Sequence, residues 1–316
     1  MVNTAVVKGK RLNFGHRLKN DIVRNWQLYL LLLPAVVAII MFAYVPMYGI
    51  QIAFKDFKPV HGIWGSEWVG FDQFKRFFTS NQFGNILGNT ILLSVYSIVA
   101  GFPAPIILAL MLNQISAQRF KKVLQTVTYM PHFISTVVMV GIISVFFTPS
   151  TGLFGHIART LGVTDPPNLL SQRTAFRPLY VFTNIWQHTG WDSIIYLAAL
   201  SGVDIALYEA AMIDGANRFQ RVVHIDIPCI LPTIVILLIL TAGNVMNVGF
   251  EKVFLMQNDL NLPVTEVIPT YVYKIGLRSM QYSYSAAVGL FNTVVNFILL
   301  VLVNTVSKRV GETSLW

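Results

Sequence analysis

Asn184, Gln187, His188 and Trp191 stand at i, i+3, i+4 and i+7, the spacing that puts four side chains on one face of an α-helix, with Asp192 beside them. Further along, Asn244 and Glu251 share a stripe with Thr241 and Val248, Asn247 is adjacent to it, and Asn292 and Asn296 are one turn apart. Amides and imidazole hydrogen-bond to hydroxyls in either sense, and an indole face stacks on a sugar ring, so the chemistry on offer is recognition of a hydroxylated ligand. Each of these residues sits in an otherwise apolar stretch. For one amide alone, a hydrogen bond between helices in lipid, worth ~0.6–2 kcal/mol, is at least as good an account. For the set, a water-filled path explains more, and an intramembrane carboxylate such as Asp192 needs a cavity or a partner.

A second group occupies a polar segment between two apolar runs: Glu209, Ala210, Ala211, Met212, Asp214 and Gly215, followed by Ile225 and Pro228. Asp204 is placed to cap a short helix from Ile205, and Gly215 to end it where a left-handed residue is needed. The small alanines let another protein approach the backbone, while Met212 and Ile213 are anchors that a groove accepts. Pro228 suits the first turn of the next helix. This is docking chemistry rather than catalysis.

Other chemistries lack their residues. There is no Gly-x-x-x-x-Gly-Lys-Ser/Thr loop to cradle a nucleotide and no Gly-x-Ser-x-Gly elbow. His16, His61, His132, His156, His188 and His224 are scattered, none at metal-ligand helical spacing from another His or a Glu, so no metal site is expected. A single cysteine, Cys229, excludes an internal disulfide.

The elements that position these groups must cross a bilayer. The 316 residues are 54% hydrophobic and 12% charged, outside the usual soluble range. The net charge of +9 is spread between apolar runs, which fits anionic lipid headgroups better than nucleic acid. Six runs are long enough to span, near 26–50, 86–112, 123–147, 178–200, 228–250 and 284–306, giving an all-α integral membrane protein. Pro34 and Pro46 are expected to kink the first. The basic tail 1–25, the basic loop with Arg119, Lys121 and Lys122, and the tail 307–316 with Lys308 and Arg309 put both termini and the Glu209 loop (201–227) in the cytoplasm. Longer loops at about 51–85, 148–177 and 251–283 face outward.

The docking segment resembles the signature loop of the permease subunits of binding-protein-dependent ABC importers: Glu-Ala-Ala, three residues, Gly, nine residues, Ile, one residue, Leu-Pro. Glu209, Ala210, Ala211, Gly215, Ile225 and Pro228 match, with Ile227 in place of Leu. The order Trp186, Gly190, Leu197-Ala-Ala-Leu200, Tyr208-Glu-Ala-Ala and Asp214-Gly-Ala is similar to carbohydrate permeases. Tyr29 to Pro34 and Pro46 to Asp56 are similar to the oligo- and polysaccharide branch, which includes alginate-importer permeases. The resemblance implies a bacterial inner-membrane subunit with no cofactor of its own. It would pair with a second, different permease and with two ATPase subunits that bind ATP and Mg, and would take a saccharide from a solute-binding protein by alternating access. An acidic chain would fit the basic residues of the outward loops, Lys55, Lys58, Lys75, Arg76, Arg159, Arg173 and Arg177. An ion-coupled secondary transporter is the alternative reading; it would usually show two related halves and charged relays in several spans.

Overall fold

The computed structural model describes residues 22–311 together with Ser314 and Leu315. Residues 1–21 of the expected basic tail, and Glu312, Thr313 and Trp316 of the C-terminal one, lie outside the described residues. Four helical stretches are each long and apolar enough to cross a bilayer: Trp26–Phe54, Phe83–Asn113, Arg218–Ala242 and Tyr282–Arg309. Two more candidates are bent pairs, Gln118–Phe133 with Thr136–Phe146, and Arg173–Ser201 with Ile205–Ile213. Among the described residues the strand content is a two-residue ribbon between the first two spans, β1 (Lys55–Asp56) antiparallel to β2 (Glu67–Trp68).

Helix α1 (Trp26–Ile39) runs through Pro34, then widens into a π-helical turn over Ile40–Tyr44. Pro46 has no N–H to give the carbonyl of Phe42, and the Val45 amide bonds five residues back to Ile40, so the wider turn absorbs the missing donor. A second wide turn, Val222–Asp226, precedes Pro228 in the same way, with the Ile227 amide reaching Val222. No residue of α1 is buried within this chain. The tighter turn that follows it, Tyr48–Phe54, packs on the last helix.

After α2 (Asp72–Phe78), the second span is α3 (Phe83–Gly101) continued at Pro103 by α4 (Pro103–Asn113). The third apolar run, expected as one helix over 123–147, is instead two, α5 (Gln118–Tyr129, extended to Phe133 by a 3₁₀ turn) and α6 (Thr136–Phe146), which meet at 97°. Ser135 ends the run in extended conformation and its hydroxyl accepts the Val138 N–H, opening a new helix. The 11 residues of α6 rise only about 16 Å.

Helix α7 (Leu153–Thr160) follows in the connection after α6, and α8 (Arg173–Ser201) is the central beam. Its N-terminal half packs Phe176, Tyr180 and Val181 against Leu93 of α3, Met139 and Ile143 of α6, and Val253 of a later helix. Its C-terminal half packs Tyr196 and Leu200 against Ala109 of α4 and Ile230. After residues 202–204 the chain turns by 74° into α9 (Ile205–Ile213), then α10 (Arg218–Arg221) and, past the π-helical turn, α11 (Ile227–Ala242).

The fifth span is shorter than the expected 228–250. Helix α11 stops at Ala242, residues 243–249 are turns and irregular chain, and α12 (Phe250–Met256) begins afresh. Thr241, Asn244, Val248 and Glu251 therefore do not form one helical stripe. Helix α13 (Ile268–Tyr273) and the long α14 (Tyr282–Gly311) complete the fold. A cluster of Phe77, Ile86, Met246, Ile268, Tyr271, Tyr284 and Val288 ties α14 to α2, α3 and α13.

Gly190 marks a close approach of two helices, since a Cβ there would stand 2.0 Å from the Thr128 carbonyl oxygen. Gly190→Ala must push α8 and α5 apart. It is expected to cost about 1–3 kcal/mol and to lower the thermal unfolding midpoint of the detergent-solubilised chain, whereas Gly141→Ala on α6, where nothing lies within 4 Å, does not lower it, since alanine is the better helix former.

Candidate functional site

The docking segment folds as its residues dictate. The Asp204 carboxylate accepts the Ala206 N–H at 3.0 Å. At the other end Gly215 takes φ +77°, letting its amide reach the Met212 carbonyl and the Ala216 amide reach Ala211, the paired bonds that close a helix on a left-handed residue. Asn217 and Gln220 then cap α10 reciprocally. No residue of α9 is buried. Glu209 and Ala210 face outward, Met212 is exposed, and Ile213 is 86% exposed. Beside them a notch of 280 Å³ is lined by Ala211, Asp214, Gly215, Arg221, His224 and Ile225, among others. Pro228 sits in the first turn of α11.

Sequence reasoning passed over two residues here. Asp226, between Ile225 and Ile227, is fully buried, and its carboxylate accepts hydrogen bonds from the Tyr208 hydroxyl, Gln114 Nε2 (2.9 Å) and Asn113 Nδ2 (3.5 Å). Burial, and then the bond to Asp226, push the Tyr208 phenol up to about 12, so it remains a donor at physiological pH. An acid within a run otherwise headed for lipid was the available signal.

The polar residues of the spans divide into two groups. Asn184, His188, Trp191 and Asp192 line a cavity of 850 Å³ between α3, α4, α8 and α11, with Tyr196 and Thr241. Asn244 and Asn247 line a neighbouring one of 460 Å³, with Tyr180 and Ser94; the two share Ser97, Ile98, Asn184, Leu237 and Thr241, and so adjoin. The break after α11 is what brings Asn244 and Asn247 into this wall.

Gln187, Glu251, Asn292 and Asn296 do not line these cavities. Gln187 is buried and donates to the Ile134 carbonyl at 2.8 Å, tying α8 to the corner between α5 and α6. Asn296 accepts the Met246 N–H at 2.9 Å and Asn292 donates to Asn247 at 2.8 Å, so both hold the irregular segment in place. Glu251 is exposed on α12. For Gln187, Asn292 and Asn296 the helical spacing was read correctly, but the neighbouring elements decide which side of the helix faces open space; for Glu251 the helix assumed by the spacing is broken after Ala242.

His132 was missed altogether. Its ring stacks on Trp191 at 4.6 Å and 4°, and its Nδ1 lies 3.2 Å from His188 Nδ1. The two histidines are far apart in sequence, so no periodicity could pair them. Among the described residues no three His, Cys, Asp or Glu side chains gather as a metal set.

Gly215 meets no atom within 4 Å of where a Cβ would be, so Gly215→Ala tests backbone strain alone. A left-handed alanine costs about 1–2 kcal/mol. Amide exchange should accelerate in α9 while α8 and α11 keep their protection.

Residues 101–312 match the family described as binding-protein-dependent transport system inner membrane component. The chain is 45% identical to Protein LplB of Bacillus subtilis (strain 168), covering 98% of this chain and 95% of that one. It is 44% identical to the polygalacturonan/rhamnogalacturonan transport system permease protein YteP of the same organism, covering 95% and 93%. In three dimensions it superposes with a TM-score of 0.87 and 40% identity on a chain of a bacterial alginate ABC transporter crystallised in complex with alginate pentasaccharide-bound periplasmic protein, covering 95% and 100%. With a helical framework, an exposed helix α9 and these matches, the chain belongs to the binding-protein-dependent transport system inner membrane components, multi-pass subunits of ABC transporters that carry no catalytic centre of their own.

Proposed function

We propose that this chain is the permease subunit of an ATP-driven importer for an acidic oligo- or polysaccharide, with α9 as its contact to an ATPase and the amide-lined cavity as its share of the path. The observation that carries this reading is continuity: α8 lines the cavity with Asn184, His188, Trp191 and Asp192 and, one short turn later, becomes the exposed docking helix. A push on α9 therefore acts directly on the helix that holds the cargo. In this reading Glu209 makes a polar contact with the ATPase, Ala210, Ala211 and Gly215 permit close packing, and Met212 is an anchor. Asp214 and Ile225 lie in the adjoining notch, Pro228 starts α11, and both termini are cytoplasmic. A second permease completes the path, and a binding protein delivers the sugar to the outward loops.

The stacked His132 and Trp191 rings offer an aromatic surface to a sugar ring, and Asn184, Asn244 and Asn247 offer amides to its hydroxyls. Alginate and polygalacturonan, carried by systems similar to this one, are both chains of uronates, and the charge argument favours the same class. Of the outward basic residues, however, Lys55 donates to the Ile63 carbonyl and Lys58 pairs with Asp56. Arg76, Arg159, Arg173 and Arg177 are hydrogen-bonded within the chain. A cation behind the cavity wall is Lys252, 5% exposed, whose ammonium lies 3.4 Å from the Tyr180 carbonyl and 5.2 Å over the Tyr180 ring. Tyr180 lines the cavity, and neither ion pair found among the described residues involves Lys252.

Affinity purification in mild detergent, with mass spectrometry of what stays bound, is expected to recover an ATPase and a second permease. The chain alone, transporting without ATP after reconstitution, would instead establish an ion-coupled carrier. Glu209→Lys and Gly215→Pro are expected to abolish ATP-dependent uptake while leaving the chain in the membrane; normal uptake in both would remove the docking role. Lys252→Met should slow uptake of a uronate oligosaccharide more than that of a neutral one, measured with the same complex in proteoliposomes.

A further inference from the structure

We propose that Asp226 is the joint through which the docking helix moves the second and third spans, in addition to the two spans it is threaded between; the proposal rests on the docking reading of α9. Chain connectivity links α9 only to α8 and, through α10, to α11. The Asp226 carboxylate adds a lateral link. It receives the Tyr208 hydroxyl from α9, and Gln114 and Asn113 from the end of α4, where the chain turns into α5. One fully buried side chain thus ties together the docking helix, the turn between the second and third spans, and the start of the fifth.

Two features suit this cluster to transmission rather than to packing. First, its donors are neutral, and a buried carboxylate without a cation is a poor way merely to hold helices together, because its desolvation must be offset bond by bond. An aliphatic side chain would pack the same elements with less penalty. What the carboxylate adds is direction, since charge-assisted hydrogen bonds resist displacement along defined lines. Second, Asp226 ends the π-helical turn Val222–Asp226. One residue fewer in that turn would swing the carboxylate by about 100° around the helix axis, away from Tyr208.

The far end of the link is also on the page. Helix α4 packs along α8, and Phe102 and Pro105 at its start line the larger cavity. A displacement of α9 passed through Asp226 would shift the cavity wall facing α8 together with α8 itself. Asp226 and Tyr208 are positioning residues: they touch no cargo.

The test uses the whole complex in proteoliposomes, with ATPase, partner permease and loaded binding protein, and the variants Tyr208→Phe and Asp226→Asn. ATPase retention should be unchanged and uptake per ATP hydrolysed should fall by about tenfold, within the usual range of coupling energies. The double variant should be no worse than Asp226→Asn alone, because the two residues act as one unit. Spin labels at Ile205→Cys and Phe120→Cys, in a Cys229→Ser background, report on the link without relying on turnover. Their separation should stay constant through the ATP cycle with the network intact and vary by several ångströms in Tyr208→Phe. Loss of the ATPase from the variants, wild-type coupling in both, additive losses, or a label separation that varies equally with and without the Tyr208 hydroxyl would each overturn the joint. Failure of the unaltered chain to retain an ATPase would overturn the docking reading and the joint with it.

Discussion

A chain inside a bilayer has no water to satisfy a backbone that leaves the helix, so wherever a span breaks, the protein itself must supply the missing partners. The structure depends on meeting that requirement after Ala242. The Met246 amide is taken by Asn296, the Val245 carbonyl receives the Ser94 hydroxyl, and Asn247 is fixed by Asn292. With α14 and α3 providing these bonds, residues 243–249 can stay irregular at depth. Their irregularity is what places Asn244 and Asn247 in the cavity wall, with Asn247 held there by its bond from Asn292.

The same economy of partners appears at the other interruptions. The wide turns before Pro46 and Pro228 each accommodate a proline whose preceding carbonyl would otherwise be stranded, and Ser135 restarts a helix at the corner between α5 and α6. None of these breaks is a loop in the ordinary sense. Each redirects a helix while keeping the backbone bonded, and the cavity walls and the docking loop are both built from such redirections.

Rigid continuity does the rest. Gly190 lets α8 lie against α5 with backbone nearly touching backbone, so the beam that carries Asn184, His188 and Trp191 has little freedom to slide. A short capped turn then hands that beam to α9, whose apolar residues have no cover within this chain. Met212 and Ile213 stay exposed on a helix firmly capped at both ends, and that exposure is what the proposed contact with a partner rests on.

The amino-acid order by itself determined what depends on local rules. Apolar runs marked helices long and apolar enough to cross a bilayer, because length and hydropathy are properties of a segment; Asp204 and Gly215 delimited α9, because capping needs only neighbours a few residues away. Within a continuous helix it determined which residues share a face as well, and Asn184, His188 and Trp191 do line one cavity; the stripe of Thr241, Asn244, Val248 and Glu251 failed because the helix stops at Ala242. What it left open was which face meets which neighbour. Gln187, one turn from Asn184, is spent on the Ile134 carbonyl, and Asn292 and Asn296 serve the backbone of another segment. Only the tertiary structure decided that the third apolar run bends by 97°, that His132 stacks on Trp191, and that Asp226 meets Tyr208 and Gln114. The physical reason is shared: these contacts join separate elements, whose approach is set by helix packing and by the need to satisfy buried polar groups, and neither leaves a periodic trace in the chain.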